Sequence, residues 1–466
     1  MPNQGAIVMV LAVAGLCSSF MFTLMVPIQS SLPELLDASR EDTAWVVTAT
    51  LLAAAIITPI AGRLGDMYGK RRIVLVLIAL LVLGSVIAAA SPGIIGVIVG
   101  RALQGAVTGV VPLGISIMRD VLHEDRVDSA IAFMSATLGV GGALGLPISA
   151  IITQTSDWHV LFWMSAGLGT VVFVLVLWIV PPSVLKTAGR FDYVGATGLA
   201  VGLTGVLLAI SRGSEWGWMS APTLLLGIGG VVVLLLWGAY ELRITEPLLD
   251  LRVAARPAVL LTNLASVAMG FSLFASNVSY PQMLEIPTAA GGFGLSLLHA
   301  SLVVMPSGLV MMVLSPFSGR LARTVGPQLL LVLGAAALIV AYGFSLLLAT
   351  EVWHILVANL LIGVGIGFGY ASMPMLIMRS VPPSETGASN GLNALFRSLG
   401  TSTAAALVGA VLASMSVVRD GVAVPTPAAF QTSFILGIGA AAVALLIAFF
   451  IPRRRDPHEA HPSLPH

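Results

Sequence analysis

The chain has 466 residues, of which 57% are hydrophobic and only 9% are charged, and its formal net charge at pH 7 is +1. With a mean hydropathy of +1.00, it carries more apolar side chain than a soluble fold can cover with polar surface, so we expect lipid to be its solvent. No basic patch supports binding to nucleic acid, and the single cysteine, Cys17, excludes an intramolecular disulfide.

Apolar stretches follow one another along nearly the whole chain, each about the 20 residues that a helix needs to cross the hydrocarbon core. The first has no Lys or Arg before it and is longer than the core of a signal peptide, so we interpret it as an uncleaved span. The sequence therefore predicts an all-α membrane protein with fourteen spans. They are expected at residues 6–30, 43–62, 73–91, 94–118, 127–152, 160–181, 193–211, 222–241, 258–284, 296–317, 328–350, 352–378, 386–413 and 430–451.

Lysine and arginine are distributed unequally between the two sides of this arrangement. One side has 17 of them, the other has Arg40, Arg212 and Arg419, and Arg101 and Arg397 fall inside spans. Cytoplasmic loops carry the excess of Lys and Arg, and an even number of spans puts both termini on one side. We therefore expect a multi-pass protein of the cytoplasmic membrane with both termini in the cytoplasm. The 17 residues are Arg63, Lys70, Arg71, Arg72, Arg119, Arg126, Lys186, Arg190, Arg243, Arg252, Arg256, Arg320, Arg323, Arg379, Arg453, Arg454 and Arg455.

An internal repeat divides the spans into groups. The segment Pro59–Gly69 is echoed at Pro316–Gly326, and Ile117-Met-Arg119 returns as Ile377-Met-Arg379, with offsets of 257 and 260 residues. Spans two and four thus correspond to spans ten and twelve, which leaves spans seven and eight as an insert. Parallel halves of this kind are typical of transporters that hold their substrate between the halves. The predicted units are an N-terminal six-helix bundle at 1–181, a two-helix insert with cytoplasmic linkers at 182–257, a C-terminal six-helix bundle at 258–452 and a disordered cytoplasmic tail at 453–466.

A short segment between spans two and three is dense in glycine and charge. Glycines permit a tight turn and close helix approach, and an acid can cap the N-terminus of a neighbouring helix. A positive-inside anchor would account for the basic residues but not for Asp66 or for the second copy, so we predict a gating loop that latches one half against the other. Its residues are Gly62, Arg63, Gly65, Asp66, Gly69, Lys70, Arg71 and Arg72, and those of its second-half counterpart are Gly319, Arg320 and Gly326.

Two arginines lie inside predicted spans, whereas every Asp and Glu lies in a loop or at the edge of a span. A charge at the bilayer centre costs at least about 2.5–3.5 kcal/mol on insertion scales, so Arg101 and Arg397 are retained against a penalty. Each could simply bond backbone carbonyls or pack the bundle. However, Gln104 shares a helix face with Arg101, and Asn390 and Asn393 share one with Arg397. We predict that these five side chains form a coupling site or line a substrate cavity.

Span five contains Gly141, Gly145 and Pro147, which are predicted to let this helix flex where the halves must move. The segment Gly62–Arg72 is not a phosphate loop, because Leu64 stands where that pattern has a glycine. No spacing of residues indicates a catalytic triad or a metal site. We therefore expect no enzyme activity, no metal and no cofactor.

The segment Gly62–Arg72 resembles, nearly position for position, the loop signature between helices two and three of the major facilitator superfamily. Arg101-Ala-Leu-Gln-Gly105 looks like that superfamily's intramembrane arginine motif. The insert and three further segments are similar to the fourteen-helix drug:proton antiporter branch, the EmrB/QacA-type multidrug exporters. These segments are Trp45-Val-Val-Thr48, Phe191-Asp-Tyr-Val-Gly195 and Pro247-Leu-Leu-Asp-Leu-Arg252. The resemblance implies the major facilitator fold, two six-helix bundles plus two inserted helices.

The chain departs from this branch at three positions. The branch commonly has an acidic residue midway through helix one, where this chain has Phe22-Thr-Leu-Met-Val26. The helix-five motif is degenerate at Gly145-Leu-Pro147, and Arg323 stands near where an Asp would be expected. An interior with arginines but no acids favours neutral, zwitterionic or anionic substrates over lipophilic cations.

The resemblance implies a secondary active transporter that exports amphipathic drugs or antibiotics by alternating access, in exchange for protons. It also implies a protein that works as a monomer in the lipid bilayer. Two alternatives stay open. One is an importer or facilitator of a small metabolite with the same fold, and the other is a membrane scaffold or sensor that does not transport.

Overall fold

Within the described part of the chain, the computed structural model has fourteen helices that are long and apolar enough to cross a membrane, which confirms the predicted number of spans and the all-α membrane class. The structure describes residues 3–25, 28, 31–183, 185–187, 189–288, 291–419 and 422–452. The tail at 453–466, which the sequence predicts to be disordered, and Val26 in the first departure from the family pattern lie outside the described residues.

Most spans are single helices, whereas spans 4 and 10 are built from consecutive helical segments. The spans are Gln4–Thr23 (span 1), Arg40–Tyr68 (span 2), Lys70–Ala90 (span 3), Ile94–Gly105 with Ala106–Gly109 and Val110–Val121 (span 4), Glu124–Thr155 (span 5), His159–Ile179 (span 6), Tyr193–Trp216 (span 7), Ala221–Glu241 (span 8), Pro257–Glu285 (span 9), Leu297–Val304 with Pro306–Val325 (span 10), Pro327–Leu348 (span 11), Val352–Ser380 (span 12), Thr386–Ser414 (span 13) and Pro427–Phe450 (span 14). Short helices lie at Leu32–Leu35, Leu251–Ala254 and Pro383–Glu385, and an antiparallel hairpin pairs Ser416–Arg419 with Val422–Pro425.

Local sequence sets where several spans begin. The side chains of Ser39 and Asp192 accept a hydrogen bond from the backbone N–H three residues further on, and so cap spans 2 and 7. Pro257, Pro327 and Pro427 occupy the first position of spans 9, 11 and 14, where the missing N–H leaves no helical hydrogen bond unmade. Each of these ends therefore has at least one unpaired N–H group fewer than an uncapped helix start would have.

The predicted gating loop is almost entirely helical. Span 2 continues to Tyr68 and span 3 begins at Lys70, so Gly69 alone separates the two helices. Gly69 has a φ of +105°, which residues with a side chain rarely adopt, and Gly326 makes the same break between spans 10 and 11 with a φ of +86°. The sequence predicts a gating loop here, because charged residues and glycines are common in loops. Here one glycine suffices to reverse the chain.

The two groups of six spans are packed in the same way. In the first group, span 1 contacts span 5, span 2 contacts span 4, and span 3 contacts spans 4 and 6. In the second group, the matching pairs are spans 9 and 13, spans 10 and 12, and span 11 with spans 12 and 14. The spatial arrangement thus follows the repeat in the sequence. In the insert, spans 7 and 8 pack against each other, and span 7 also contacts spans 2 and 13.

Two crossings form most of the interface between the halves: span 2 with span 13, and span 5 with span 10. Glycines bring the backbones together at both. A Cβ atom on Gly62 would lie 2.3 Å from the carbonyl oxygen of Gly387, and one on Gly308 would lie 2.4 Å from that of Gly139. We call the end of the bundle at which the turns at Gly69 and Gly326 lie the basic face, and the other end the opposite face.

We expect Gly308→Ala to weaken the packing of span 10 on span 5, because the added methyl would overlap the carbonyl oxygen of Gly139. Overpacking of this kind costs about 1–3 kcal/mol. Thermal unfolding of the detergent-purified protein should have a lower midpoint for this variant. The matched control Gly343→Ala should leave the midpoint unchanged, since nothing lies within 4 Å of a Cβ on Gly343. Equal midpoints for the two variants would contradict the close crossing.

Candidate functional site

The carboxylate of Asp66 joins the two halves at the basic face. Asp66 lies in the last turn of span 2 and is only 2% exposed. Its two oxygens accept hydrogen bonds from the backbone N–H of Gly387, at 3.1 Å, and of Ala388, at 2.8 Å. These N–H groups belong to the first turn of span 13, where no helical carbonyl is available to them. An acid of the first half therefore caps a helix of the second half, and the positive end of that helix stabilises its charge.

Lys70 extends this contact at the start of span 3. Its side chain is 1% exposed, and its Nζ donates to Oδ2 of Asp120 at 2.6 Å and to Oγ1 of Thr386 at 2.9 Å. Nζ also lies 3.8 Å from Oδ1 of Asp66. We call Asp66, Lys70, Asp120 and Thr386 the latch. Removing one partner from a buried, hydrogen-bonded ion pair leaves the other charge without compensation, so the latch is held as a unit.

The other residues of the predicted gating loop support the latch or lie outside it. Gly65 packs against Leu113 of span 4, whose Cδ2 would lie 2.4 Å from a Cβ on this glycine. The guanidinium of Arg71 donates to the carbonyl of Leu177 in span 6. Arg72 is exposed. Arg63 is half-buried and lines a cleft of about 210 Å³ with the segment 245–250 that follows span 8.

A second junction closes the basic face between span 5 and the second half. Arg379, in the last turn of span 12, donates to Oδ2 of Asp128 at 2.7 Å, and the guanidinium of Arg323 donates to the carbonyl oxygen of Asp125. From sequence, Arg379 was identified in the repeat and among the basic residues of the cytoplasmic side, but its partner Asp128 was missed. The acidic first turns of span 5 were the available signal for this ion pair.

The second-half counterpart of the gating loop has the packing of the first loop without its latch. Gly319 is buried, and a Cβ there would lie 2.4 Å from the Cα of Ser129 in span 5. Arg320 is exposed, and Gly326 forms the turn to span 11. Arg323 lies where the first copy has its acid, and it binds a backbone carbonyl instead of capping a helix.

Arg101 and Gln104 are enclosed within the first half. Arg101 is 2% exposed, and its Nη1 donates to the carbonyl oxygen of Met21 at 3.1 Å and to Oε1 of Gln104 at 2.9 Å. Nε2 of Gln104 donates in turn to Oγ of Ser85 at 2.7 Å. This network joins spans 1, 3 and 4, so both side chains bind partners within their own bundle.

Asn390 and Asn393 are enclosed in the second half. Asn393 is 2% exposed, and its Nδ2 donates to Oδ1 of Asn263 at 2.9 Å and to Oγ of Ser266 at 2.7 Å, both in span 9. Asn390 is 3% exposed and donates to the carbonyl oxygen of Thr386 at 2.9 Å. The polar stripe predicted on span 13 therefore binds a partner helix at Asn393, whereas Asn390 bonds to Thr386 of its own helix.

Arg397 differs from the asparagines on its helix face, because it is only half-buried. Its guanidinium lies over the ring of Tyr370 in span 12, with Cζ 4.9 Å from the ring centroid. Its backbone packs against Gly270 of span 9, where a Cβ would lie 2.4 Å from the carbonyl oxygen of Arg397. Arg397 thus lies between spans 9 and 12.

The residues predicted to flex span 5 pack this helix against span 1. A Cβ on Gly141 would lie 2.6 Å from the carbonyl oxygen of Leu16, and one on Gly145 would lie 1.8 Å from Oγ1 of Thr23. Pro147 is buried, and the helix Glu124–Thr155 runs through it without a break. A proline inside a helix removes one backbone hydrogen bond, which is the local weakness that flexing would need.

At the opposite face, spans 2, 7 and 13 enclose a cleft of about 230 Å³. Its lining is mainly apolar, and its uncharged and acidic polar members are Thr48, Ser211, Ser214, Glu215 and Ser402. Arg212 also borders the cleft, but it is 1% exposed and bound to its surroundings. The first and second halves stand on different sides of this cleft.

Arg212 ties the insert to the first half. Its Nη1 donates to Oε2 of Glu215 at 2.5 Å and to the carbonyl oxygen of Glu41 at 3.2 Å. Its guanidinium also stacks on Trp45, with Cζ 4.7 Å from the ring centroid. Because Glu41 and Trp45 are in span 2, span 7 is fixed to the first half at the opposite face.

The hydrogen bonds described above that join the two halves all lie near the basic face. They bring spans 2 and 3 against span 13, and span 5 against spans 10 and 12. Among the described residues, no group of three or more His, Cys, Asp and Glu side chains could hold a metal ion. Polar contacts between the halves therefore close the bundle at the basic face, while a cleft lies at the opposite face.

The sequence of the chain matches a known protein family and several known proteins. Residues 11–405 match the family model described as Major Facilitator Superfamily. The chain is similar to the lincomycin resistance protein LmrB of Listeria monocytogenes, with 26% identity over 455 residues that cover 95% of each chain. It is also similar to the multidrug resistance protein Stp of Mycobacterium tuberculosis, with 25% identity over 79% of this chain and 68% of the relative.

A solved structure shares the fold. The crystal structure of the human organic anion transporter MFSD10 (TETRAN) superposes with a TM-score of 0.68 and covers 97% of this chain and 100% of that chain. Sequence identity between the two is 13%, so this likeness concerns the fold alone.

We expect Asp66→Asn to loosen the start of span 13. The amide has no negative charge and only one acceptor oxygen, whereas each of the two carboxylate oxygens of Asp66 accepts a backbone N–H. Loss of a charge-assisted bond costs about 1.5–3 kcal/mol, so the amides of Gly387 and Ala388 should exchange faster, by about tenfold or more. Hydrogen–deuterium exchange of the peptide that contains these residues measures this directly. The control Glu124→Gln changes an exposed acid at the start of span 5 and should leave exchange unchanged. Wild-type protection in Asp66→Asn would show that the carboxylate does not hold the halves together.

Proposed function

Because the chain belongs to the major facilitator superfamily, and is therefore a multi-pass membrane transporter and not an enzyme, we propose that it exports amphipathic drugs or antibiotics by alternating access in exchange for protons. The observation that carries the proposal is the closed basic face. There Asp66 and Lys70 bind the start of span 13, while spans 2, 7 and 13 leave a cleft at the opposite face.

Alternating access requires states in which only one face of the bundle is closed. The bonds of Asp66 and Lys70 to the start of span 13 and the pair Arg379–Asp128 are polar contacts between bundles, and water can replace them when the halves separate. Close glycine crossings let the halves rock without rebuilding a core. We propose that residues 1–181 and 258–452 are the two moving halves and that the insert at 182–257 moves with the first, through Arg212.

We place the basic face in the cytoplasm, because cytoplasmic loops carry the excess of Lys and Arg. Both termini then lie in the cytoplasm, and the membrane is the cytoplasmic membrane. In this orientation the latch closes the pathway to the cytoplasm, so the structure corresponds to an outward-facing state. An exporter releases its substrate from that state.

Drug substrates are supported by the names of the relatives. LmrB is named for lincomycin resistance and Stp for multidrug resistance, and both align with most of this chain. The cleft at the opposite face has a mainly apolar lining, which suits molecules that are largely apolar. We therefore propose amphipathic substrates.

Proton exchange is supported by the resemblance to the drug:proton antiporter branch. The described acids of the spans lie within about five residues of a helix end, so a coupling proton would be bound near a membrane surface. A monomer is proposed as the working unit, since one chain contains both halves and the contacts that close them.

The experiment that tests this function is an efflux and susceptibility screen in a host that lacks its own drug pumps. We expect the wild-type chain to lower the accumulation and toxicity of several amphipathic drugs, and a protonophore to abolish both effects. The variant Asp66→Asn with Lys70→Gln, which removes two latch groups, should lose protection at equal expression. Reconstituted proteoliposomes with and without an imposed pH gradient then give the direction of flux.

Each alternative has its own outcome in these assays. Accumulation of a small metabolite inside cells, with no protection against drugs, would favour an importer or facilitator. Absence of substrate-dependent flux across a broad panel of compounds would favour a scaffold or sensor. Export that persists unchanged in the presence of a protonophore would contradict proton exchange but not export.

A further inference from the structure

Arg397 is a cation in the middle of the second half. It lies about 16 Å along span 13 from Thr386, in a helix of 29 residues whose length is about 43 Å. Its neighbours toward the basic face, Thr386–Leu395, are all buried, whereas Phe396–Leu399 are half-buried. Arg397 therefore stands where the fully buried part of span 13 ends and its side chains become partly accessible.

The guanidinium of Arg397 has no acceptor within the described part of the chain. There it makes neither a hydrogen bond nor an ion pair, and its contact is the stack on Tyr370. Stacking uses the face of the guanidinium and leaves the N–H groups at its edge free to donate. The side chain is thus held in place with its hydrogen-bonding edge unused.

Two other buried arginines within spans, Arg101 and Arg212, are different. Arg101 donates to Met21 and Gln104, and Arg212 donates to Glu41 and Glu215. Each is at most 2% exposed, and each ties helices together. These contacts account for two of the three arginines as parts of the fold, and Arg397 is the one that fold contacts do not explain.

A charged group at this depth is expensive unless a partner compensates it. The protein does not supply that partner among its described residues, because their acids lie near helix ends or outside the helices. A guanidinium offers a planar fork of donors that matches the two oxygens of a carboxylate. The compensating group is then best supplied by the molecule that enters the pathway.

We propose that Arg397 binds the anionic group of the transported molecule, and that the substrates include amphipathic carboxylic acids in their ionised form. This inference rests on the proposed function for the passage of an amphipath between the halves. Tyr370 fixes the guanidinium from one side, and Gly270 lets span 9 approach the backbone of Arg397, so the donors keep one orientation. The apolar body of the substrate lies along the surrounding spans.

The test uses pairs of an amphipathic acid and its methyl ester, of which cholate and methyl cholate are the first. Flux of both is measured in proteoliposomes that contain the full chain. At acid concentrations below saturation, we expect Arg397→Gln to lower the flux of the acid by at least about tenfold, which is the loss typical of a charge-assisted hydrogen bond. Flux of the ester should change little. Arg397→Lys should be intermediate, because it keeps the charge but not the fork. Arg243→Gln, at an exposed position after span 8, is the control and should behave as wild type.

A second measurement keeps the test independent of transport. Ionised acids should raise the thermal midpoint of the purified wild-type chain, and the Gln variant should lose this shift while its own midpoint without ligand stays near wild type. Wild-type flux of esters or cations without flux of acids would overturn the anion site and leave the export proposal standing. Equal acid flux in wild type and Arg397→Gln would also overturn it. If no compound is transported, the export proposal fails, and the anion site then stands or falls by the thermal shift alone.

Discussion

The architecture depends on the hydrogen bonds between a buried carboxylate of one half and the first turn of a helix in the other half. Asp66 is 2% exposed and caps span 13, although the two belong to different halves of the chain. Its charge is compensated by Lys70 of its own half and by backbone N–H groups of span 13, and these N–H groups reach it only while the halves touch at the basic face. One acid thus couples local helix capping to the global arrangement of the bundles. The glycines around it make this possible, because Gly62 and Gly387 bring two backbones closer than any side chain would allow.

The arginines inside the bundle are of two kinds: those whose N–H groups have acceptors in the protein and one whose N–H groups have none within the described chain. Arg101 and Arg212 are bound to carbonyls and polar side chains, and they hold helices in place. Arg397 is held by an aromatic ring and keeps its donors free within the described chain. The same residue type therefore serves the fold in two places and is available to a ligand in the third. This difference matters because a cation without a partner inside a membrane raises the free energy of the folded protein.

Much of the fold could be predicted from sequence, because hydropathy and a repeat are signals that need no tertiary knowledge. The fourteen spans are confirmed, and the pairing of spans two and four with spans ten and twelve matches how the helices pack. The cap by Asp66 was also foreseeable, since an acid in a glycine-rich junction has few other uses. That the junction is helical was not foreseeable, because it depends on the positive φ of the single residue Gly69.

The candidate site was predicted less well, because it depends on crossings between distant segments. Sequence places Asn393 and Arg397 on one face, yet only the packing of spans 9 and 12 determines that Asn393 binds a side chain of span 9 while Arg397 stacks on Tyr370. The pair Arg379–Asp128 was missed for the same reason, as its members are 251 positions apart. Local sequence patterns identify charged and polar residues inside spans, where they are energetically costly. Tertiary contacts determine which of these side chains are bound within the protein and which can bind a ligand.

The central claim is that the basic face closes while the opposite face opens, and that this reverses during transport. Distances between spin labels test it most directly, with one pair at the exposed positions Tyr68 and Val325 on the basic face and another at Leu35 and Trp353. On addition of a transported compound, the account predicts a second population in which the first distance is longer and the second is shorter. Distances that stay fixed during transport, or that lengthen together at both faces, would contradict it.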